Sequence, residues 1–178
     1  MKTLFNGVML FAIAGLFVGC GPEASTQSPE SPNGGPEVDG SKYVLSAEPE
    51  GAGEVIQVRE QAADGEDVVI VGRIGGSANP WIDGRAAFSI VDNSLKACSD
   101  IEGDHCPIPW DYCCETSKLP TGSALVKVVD EKGELVKASA KELLDVKELS
   151  TVVVKGKAKR DEAGNLTVLA NGVFVKVK

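Results

Sequence analysis

From residue 53 onward, the hydrophobic and polar positions of this chain predict a mainly β domain. Val68 to Ile74 (VVIVGRI) is β-branched and almost wholly apolar, the composition of a strand buried on both faces. Gly72 inside it predicts a bulge or bend. Ala86 to Asp92 (AAFSIVD) alternates, with Phe88 and Ile90 on one face, and Ala124 to Asp130 (ALVKVVD) reads as a third strand. Glu131-Lys132-Gly133-Glu134 is turn chemistry before a short Leu135-Val136 return. Thr151 to Ala158 and Leu166 to Val177, joined by Lys159 to Asn165, read as a hairpin. Two stretches have helical spacing. Glu54 to Ala63 places apolar residues at 55, 58, 62 and 63, although its valines leave a strand open. Ser139 to Leu149 begins with Ser and has Glu three residues later, a capping-box pattern, and Leu143, Leu144 and Val146 supply its apolar face.

The pattern before residue 53 is of another kind. Lys2 precedes an apolar run from Val8 to Val18, which ends in Phe17-Val18-Gly19-Cys20. The run is short of the roughly 20 residues a spanning helix needs, and its flanks fit a cleaved signal. It resembles a bacterial lipoprotein signal peptide, with Phe17 where leucine is commonest. A plain secretory signal and an uncleaved anchor are the alternatives. The resemblance implies a signal over residues 1–19, lipid on Cys20, and a mature protein held to the membrane by acyl chains at ~0.8 kcal/mol per buried CH₂. The implied address is the cell envelope. Gly21 after the cysteine, where Asp is absent, favours the outer membrane or its periplasmic face by the enterobacterial sorting rule. Residues 20–52 are rich in Pro, Gly, Ser and Glu and read as a flexible tether. Only Tyr43-Val44-Leu45 interrupts it, as a short strand or a patch that docks on the domain.

In the domain, residues 53–178, the order helix, β, β, β, helix, β, β resembles the OB-fold, a five-stranded small barrel with a helix between its third and fourth strands. The glycine in the first strand, the closing hairpin and the place of the Ser139 helix carry the likeness. A short N-terminal helix and a long cysteine-rich insertion between the second and third strands, residues 93–123, depart from it. An OB-fold implies oligonucleotide binding, but the charge opposes that. The chain has 18 basic and 26 acidic residues and a formal net charge of −8. Residues 20–123 hold 6 basic and 18 acidic residues, and only residues 124–178, with 11 and 8, approach a basic footprint.

The candidate chemistry is concentrated in the insertion. With Cys20 assigned to lipid, the remaining thiols are Cys98, Cys106, Cys113 and Cys114, spaced C-x₇-C-x₆-C-C, with the single histidine, His105, among them. The segment Pro109-Trp110-Asp111-Tyr112-Cys113-Cys114 is similar to one in exported proteins of planctomycete-type bacteria, a likeness that names no activity. Three readings are open. An oxidising compartment and an even count favour two disulfides. A Cys113–Cys114 pair would be strained, which leaves Cys98 and Cys106 to pair with Cys113 and Cys114 in either order. Alternatively, Cys98, His105, Cys106, Cys113 and Cys114 offer soft ligands for zinc or copper, with Asp104 or Asp111 orienting His105. The third is an exchangeable dithiol, which normally uses C-x-x-C at a helix N-terminus.

Trp81 and Trp110 lie in connections that flank the usual OB binding face. They read either as a stacking platform for a base or sugar or, more simply, as packing. Lys155, Lys157, Lys159 and Arg160 cluster on the fourth strand and its turn, as a solvated face or a polyanion contact. With one histidine and no G-x-S-x-G, H-E-x-x-H, phosphate loop or calcium loop, no catalytic constellation is present. The sequence therefore predicts a non-enzymatic envelope lipoprotein with no cofactor. It would be a binding module with a disulfide-braced loop that meets an envelope protein or small ligand. A zinc- or copper-binding lipoprotein is the alternative, and a nucleic-acid or polyanion binder a weaker one.

Overall fold

The computed structural model describes residues 38–177, so Cys20, the signal and the tether up to residue 37 lie outside the described residues. Six strands form one mixed sheet: β1 (Gly53–Glu54), β2 (Asp67–Ile74), β3 (Ala87–Val91), β4 (Ser123–Val128), β5 (Thr151–Arg160) and β6 (Leu166–Val175). The order is β1-β2-β3-β4-β6-β5, and β2 also pairs with β5. Hydrogen bonding therefore runs in a ring, β2–β3–β4–β6–β5 and back to β2. Every pair in the ring is antiparallel except β4–β6, which is parallel. The two-residue β1, too short to leave a periodic signal, adds to β2 in parallel.

The β-branched strands of the ring point one set of side chains into a shared interior. Phe88, Ile70, Ile74, Ile90, Val126, Val128, Val152 and Leu166 are all but fully buried there. Full burial of such a side chain stabilises by ~1.5–3 kcal/mol, so this interior supplies the main driving force. Two short helices close it. α1 (Val55–Gln61) contributes Val55 and Val58, and α3 (Ala140–Leu144) contributes Leu143 and Leu144. The predicted helix over 139–149 is cut to five residues because Asp145 turns left-handed at φ 50. Ser139 occupies the N-cap position, but its side chain makes no cap hydrogen bond, so the capping box does not form. The apolar face was the sounder signal: Leu143, Leu144 and Val146 are all buried.

Gly72 does not mark a bulge. The β2–β5 register runs unbroken through its pairing with Val152. The register shift lies across the ring, between Lys155 and Gly156 of β5. A Cβ on Gly156 would lie 2.2 Å from the Leu169 carbonyl oxygen, so only glycine fits the bulged strand there.

Tyr43-Val44-Leu45 lies against β6. Leu45 N–H donates to the Val173 carbonyl at 2.8 Å, and Val173 N–H donates to the Tyr43 carbonyl at 2.7 Å. Leu45 packs over Gly172, and Tyr43 meets the core from outside. Among the described residues, no helix is long and apolar enough to cross a membrane.

Candidate functional site

The long insertion leaves β3 and returns to β4 side by side, with Asp92 N–H donating to the Gly122 carbonyl at 2.8 Å. Its entry is fixed by a residue that the periodicity left unremarked. Asp92 is 2% exposed, and its carboxylate accepts from Ile56 N–H at 2.8 Å and from Ser94 N–H and Oγ at 3.0 and 2.6 Å. One oxygen thus satisfies an orphan donor in the first turn of α1, and the other holds the start of the loop. Burial pushes this carboxyl up, but the hydrogen bonds from Ile56 and Ser94 outweigh it and leave it below the usual carboxylate value.

Beyond Asp92 the loop builds a small core of its own. Val91, Leu95, Ala97 and Tyr112 pack together, with Ile56, Leu119 and Leu149 against them. The Tyr112 ring is fully buried, and its hydroxyl has no hydrogen-bond partner among the described residues. The loop sits directly on the end of β2. A Cβ on Gly75 would lie 2.9 Å from both the Trp110 carbonyl oxygen and the Tyr112 ring. Trp110 Nε1 donates to the Ala78 carbonyl at 3.0 Å, and Arg73 pairs with Asp100. No strand forms within the insertion. It contains a 3₁₀ turn at Cys98–Asp100 and one helical turn, α2 (Leu119–Gly122).

The backbone then brings the cysteines together. Cys98 N–H donates to the Asp111 carbonyl at 2.8 Å and Ser99 N–H to the Pro109 carbonyl at 3.0 Å, which zips the 3₁₀ turn to the Pro-Trp-Asp segment. Asp104 Oδ1 accepts from Cys106 N–H at 3.0 Å, and the Cys106 thiol donates to the Ile108 carbonyl at 3.5 Å. The sulfurs of Cys98, Cys106 and Cys113 all lie within 4.8 Å of one another. Cys98 Sγ and Cys113 Sγ are 3.2 Å apart, and Cys113 Sγ and Cys114 Sγ are 3.9 Å apart. A second trio, a carboxylate oxygen of Asp104 with the sulfurs of Cys113 and Cys114, likewise lies within 4.8 Å. All four residues are free thiols, Cys98 buried, Cys106 half-buried, and Cys113 and Cys114 exposed. Burial pushes the Cys98 thiol up to about 12, helped by hydrogen bonding to Cys113. That is the opposite of the depressed value an exchanging thiol uses.

The structure separates the other sequence candidates from this cluster. His105 is exposed and belongs to neither trio. Trp81 does not join Trp110 in a stacking platform. Its ring packs on Phe88, with centroids 5.8 Å apart, Lys141 Nζ lies 4.9 Å over it, and its Nε1 donates to Glu148 Oε1 at 2.7 Å. Lys155, Lys157 and Lys159 do share an exposed face of β5. Lys157 is paired with Asp67 at 2.9 Å and Lys159 with Asp64 at 3.0 Å. Arg160 turns away from that face, donating to the Ala62 carbonyl at 2.9 Å and to the Arg59 carbonyl, where it closes the C-terminus of α1.

Compared with known proteins, the chain matches no family model and no curated protein.

Proposed function

We propose that this chain is a lipid-anchored, non-enzymatic cell-envelope protein whose OB-fold-like barrel displays a metal-binding cysteine loop. The anchor reading rests on the Lys2–Cys20 pattern alone. The barrel reading is supported by the closed ring β2–β3–β4–β6–β5, its single parallel pair β4–β6, and α3 between the third and fourth ring strands.

The observation that carries the metal reading is the convergence of Cys98, Cys106 and Cys113 on one point. Two disulfides call for four sulfurs sorted into two pairs. Here three sulfurs form one cluster, and the neighbours of Cys114 are Cys113 and Asp104. A tetrahedral thiolate site with metal–sulfur bonds of ~2.3 Å has sulfur–sulfur edges of about 3.8 Å. The trio fits within 4.8 Å, with Cys98 and Cys113 drawn closer than that edge at 3.2 Å. The sequence lacks C-x-x-C, but the 3₁₀ turn and the Asp104 turn deliver the thiols from separate segments. A bound metal also protects thiols in an oxidising compartment.

A second reading is supported by the 3.2 Å approach of Cys98 to Cys113. These two form the first bridge if the loop is braced by disulfides. Variants distinguish the readings. Cys98→Ser, Cys106→Ser and Cys113→Ser should each weaken zinc binding by the reduced full chain at least about tenfold, measured by competition with a chromophoric chelator, while His105→Ala leaves it unchanged. If the wild-type chain binds no zinc under reducing conditions, the metal reading is lost.

A further inference from the structure

The two ligand trios share one sulfur, that of Cys113. We propose, on the basis of the metal reading above, that the loop is built for two divalent ions of the zinc class bridged by the Cys113 thiolate. One ion sits among Cys98, Cys106 and Cys113, and the other among Asp104, Cys113 and Cys114.

Two observations converge on this arrangement. First, each trio closes within 4.8 Å as its own group, with Cys113 common to both. A thiolate has lone pairs for two metals, so the shared position is that of a bridge. Secondly, Asp104 brings a carboxylate oxygen within 4.8 Å of the Cys113 and Cys114 sulfurs. Its Oδ1 is held by Cys106 N–H at 3.0 Å, and its Oδ2 is buried without a hydrogen-bond partner among the described residues. An unpaired buried carboxylate oxygen is costly, and a cation beside Cys113 and Cys114 is what would satisfy it. The carboxylate also selects the metal. Monovalent copper prefers an all-sulfur set, whereas zinc accepts mixed sulfur and oxygen. Exposed Cys113 and Cys114 give the second ion its route from solvent. Each ion has three protein ligands, so water completes its coordination.

The experiment is zinc stoichiometry. The full chain is reduced, stripped with a chelator, reloaded with zinc without oxygen, and desalted before metal analysis. Wild type should retain two zinc ions per chain. Asp104→Asn should retain one, because the asparagine Oδ1 still accepts from Cys106 N–H while the second trio loses its charged ligand. Cys98→Ser should also retain one, held by the Asp104 trio, and Cys113→Ser should retain neither tightly. Near-ultraviolet circular dichroism of each variant confirms that the loop is folded. On cadmium-loaded wild type, NMR should show two resonances coupled through the shared sulfur. One zinc in wild type, unchanged in Asp104→Asn, overturns the bridge and leaves a single-ion site standing. No zinc in wild type overturns both.

Discussion

The ring interior and the cysteine loop are held together by different means. In the ring, strands of valine and isoleucine bury Phe88, Ile70, Ile90, Val126 and their neighbours, and the ladders use the backbone polar groups as they form. The loop buries only Val91, Leu95, Ala97 and Tyr112 as a core of its own. It owes its shape to polar fastenings: Asp92 at its entry, Arg73–Asp100 and Trp110–Ala78 at its flank, and Asp104 inside it. A region with so small a core gains much from a covalent or metal staple. The ring needs none, and the four thiols all lie in the loop.

This contrast can be broken at the ring, at the joint or in the loop. The largest effect is expected from Phe88→Ala, which opens a cavity at the centre of the ring. It should cost about 3–5 kcal/mol in urea denaturation and carry the loop down with it. Next comes the joint. Asp92→Asn should cost about 1.5–3 kcal/mol by the same measurement, since a charged acceptor with three donors is lost. The carboxyl of Asp92 is lower in the folded chain than its ordinary 3.8. Its contribution is therefore fully present above the unfolded value and is lost as pH falls through the folded one. The stability gap between wild type and Asp92→Asn should accordingly be constant near neutrality and shrink below about pH 4.

Gly75→Ala should act on the loop alone. Its Cβ would press on the Trp110 carbonyl and the Tyr112 ring, and relieving that pressure costs about 1–3 kcal/mol. Hydrogen exchange should quicken at Cys98 and Ser99 while the β5–β6 amides keep their protection. The smallest effect is expected from Tyr112→Phe. The buried hydroxyl has no partner to lose, so stability should stay within about 0.5 kcal/mol of wild type or rise. A loss of about 2 kcal/mol or more would mean that the hydroxyl is hydrogen-bonded in the folded chain.

The same contrast explains what the sequence made legible. Period-two alternation and β-branched runs marked all five long strands to within a few residues, because strand burial is written locally. The apolar spacing over 139–149 extends past the helix, since nothing local announces that Asp145 turns left-handed. The loop could be read only as composition. Its cysteine spacing is compatible with pairs or a cluster, and the choice depends on the turns at Cys98–Asp100 and Asp104, which no periodicity marks. Spacing made His105 a natural ligand candidate, yet the backbone leaves it facing solvent and directs the neighbouring Asp104 to the thiols. Alternation places the lysines of β5 on one exposed face, but their partners Asp64 and Asp67 lie on another strand and its approach, far away in sequence.

Whether the loop holds metal through its thiols is decided by isolating the native full chain without reductant. Metal content is then measured together with titratable thiols before and after chelation. Zinc-class metal should be bound in stoichiometric amount, with thiols that become fully titratable only once the chelator has removed it. Metal-free protein with no titratable thiols, and a Cys98–Cys113 disulfide in its non-reduced peptide map, would contradict the metal reading.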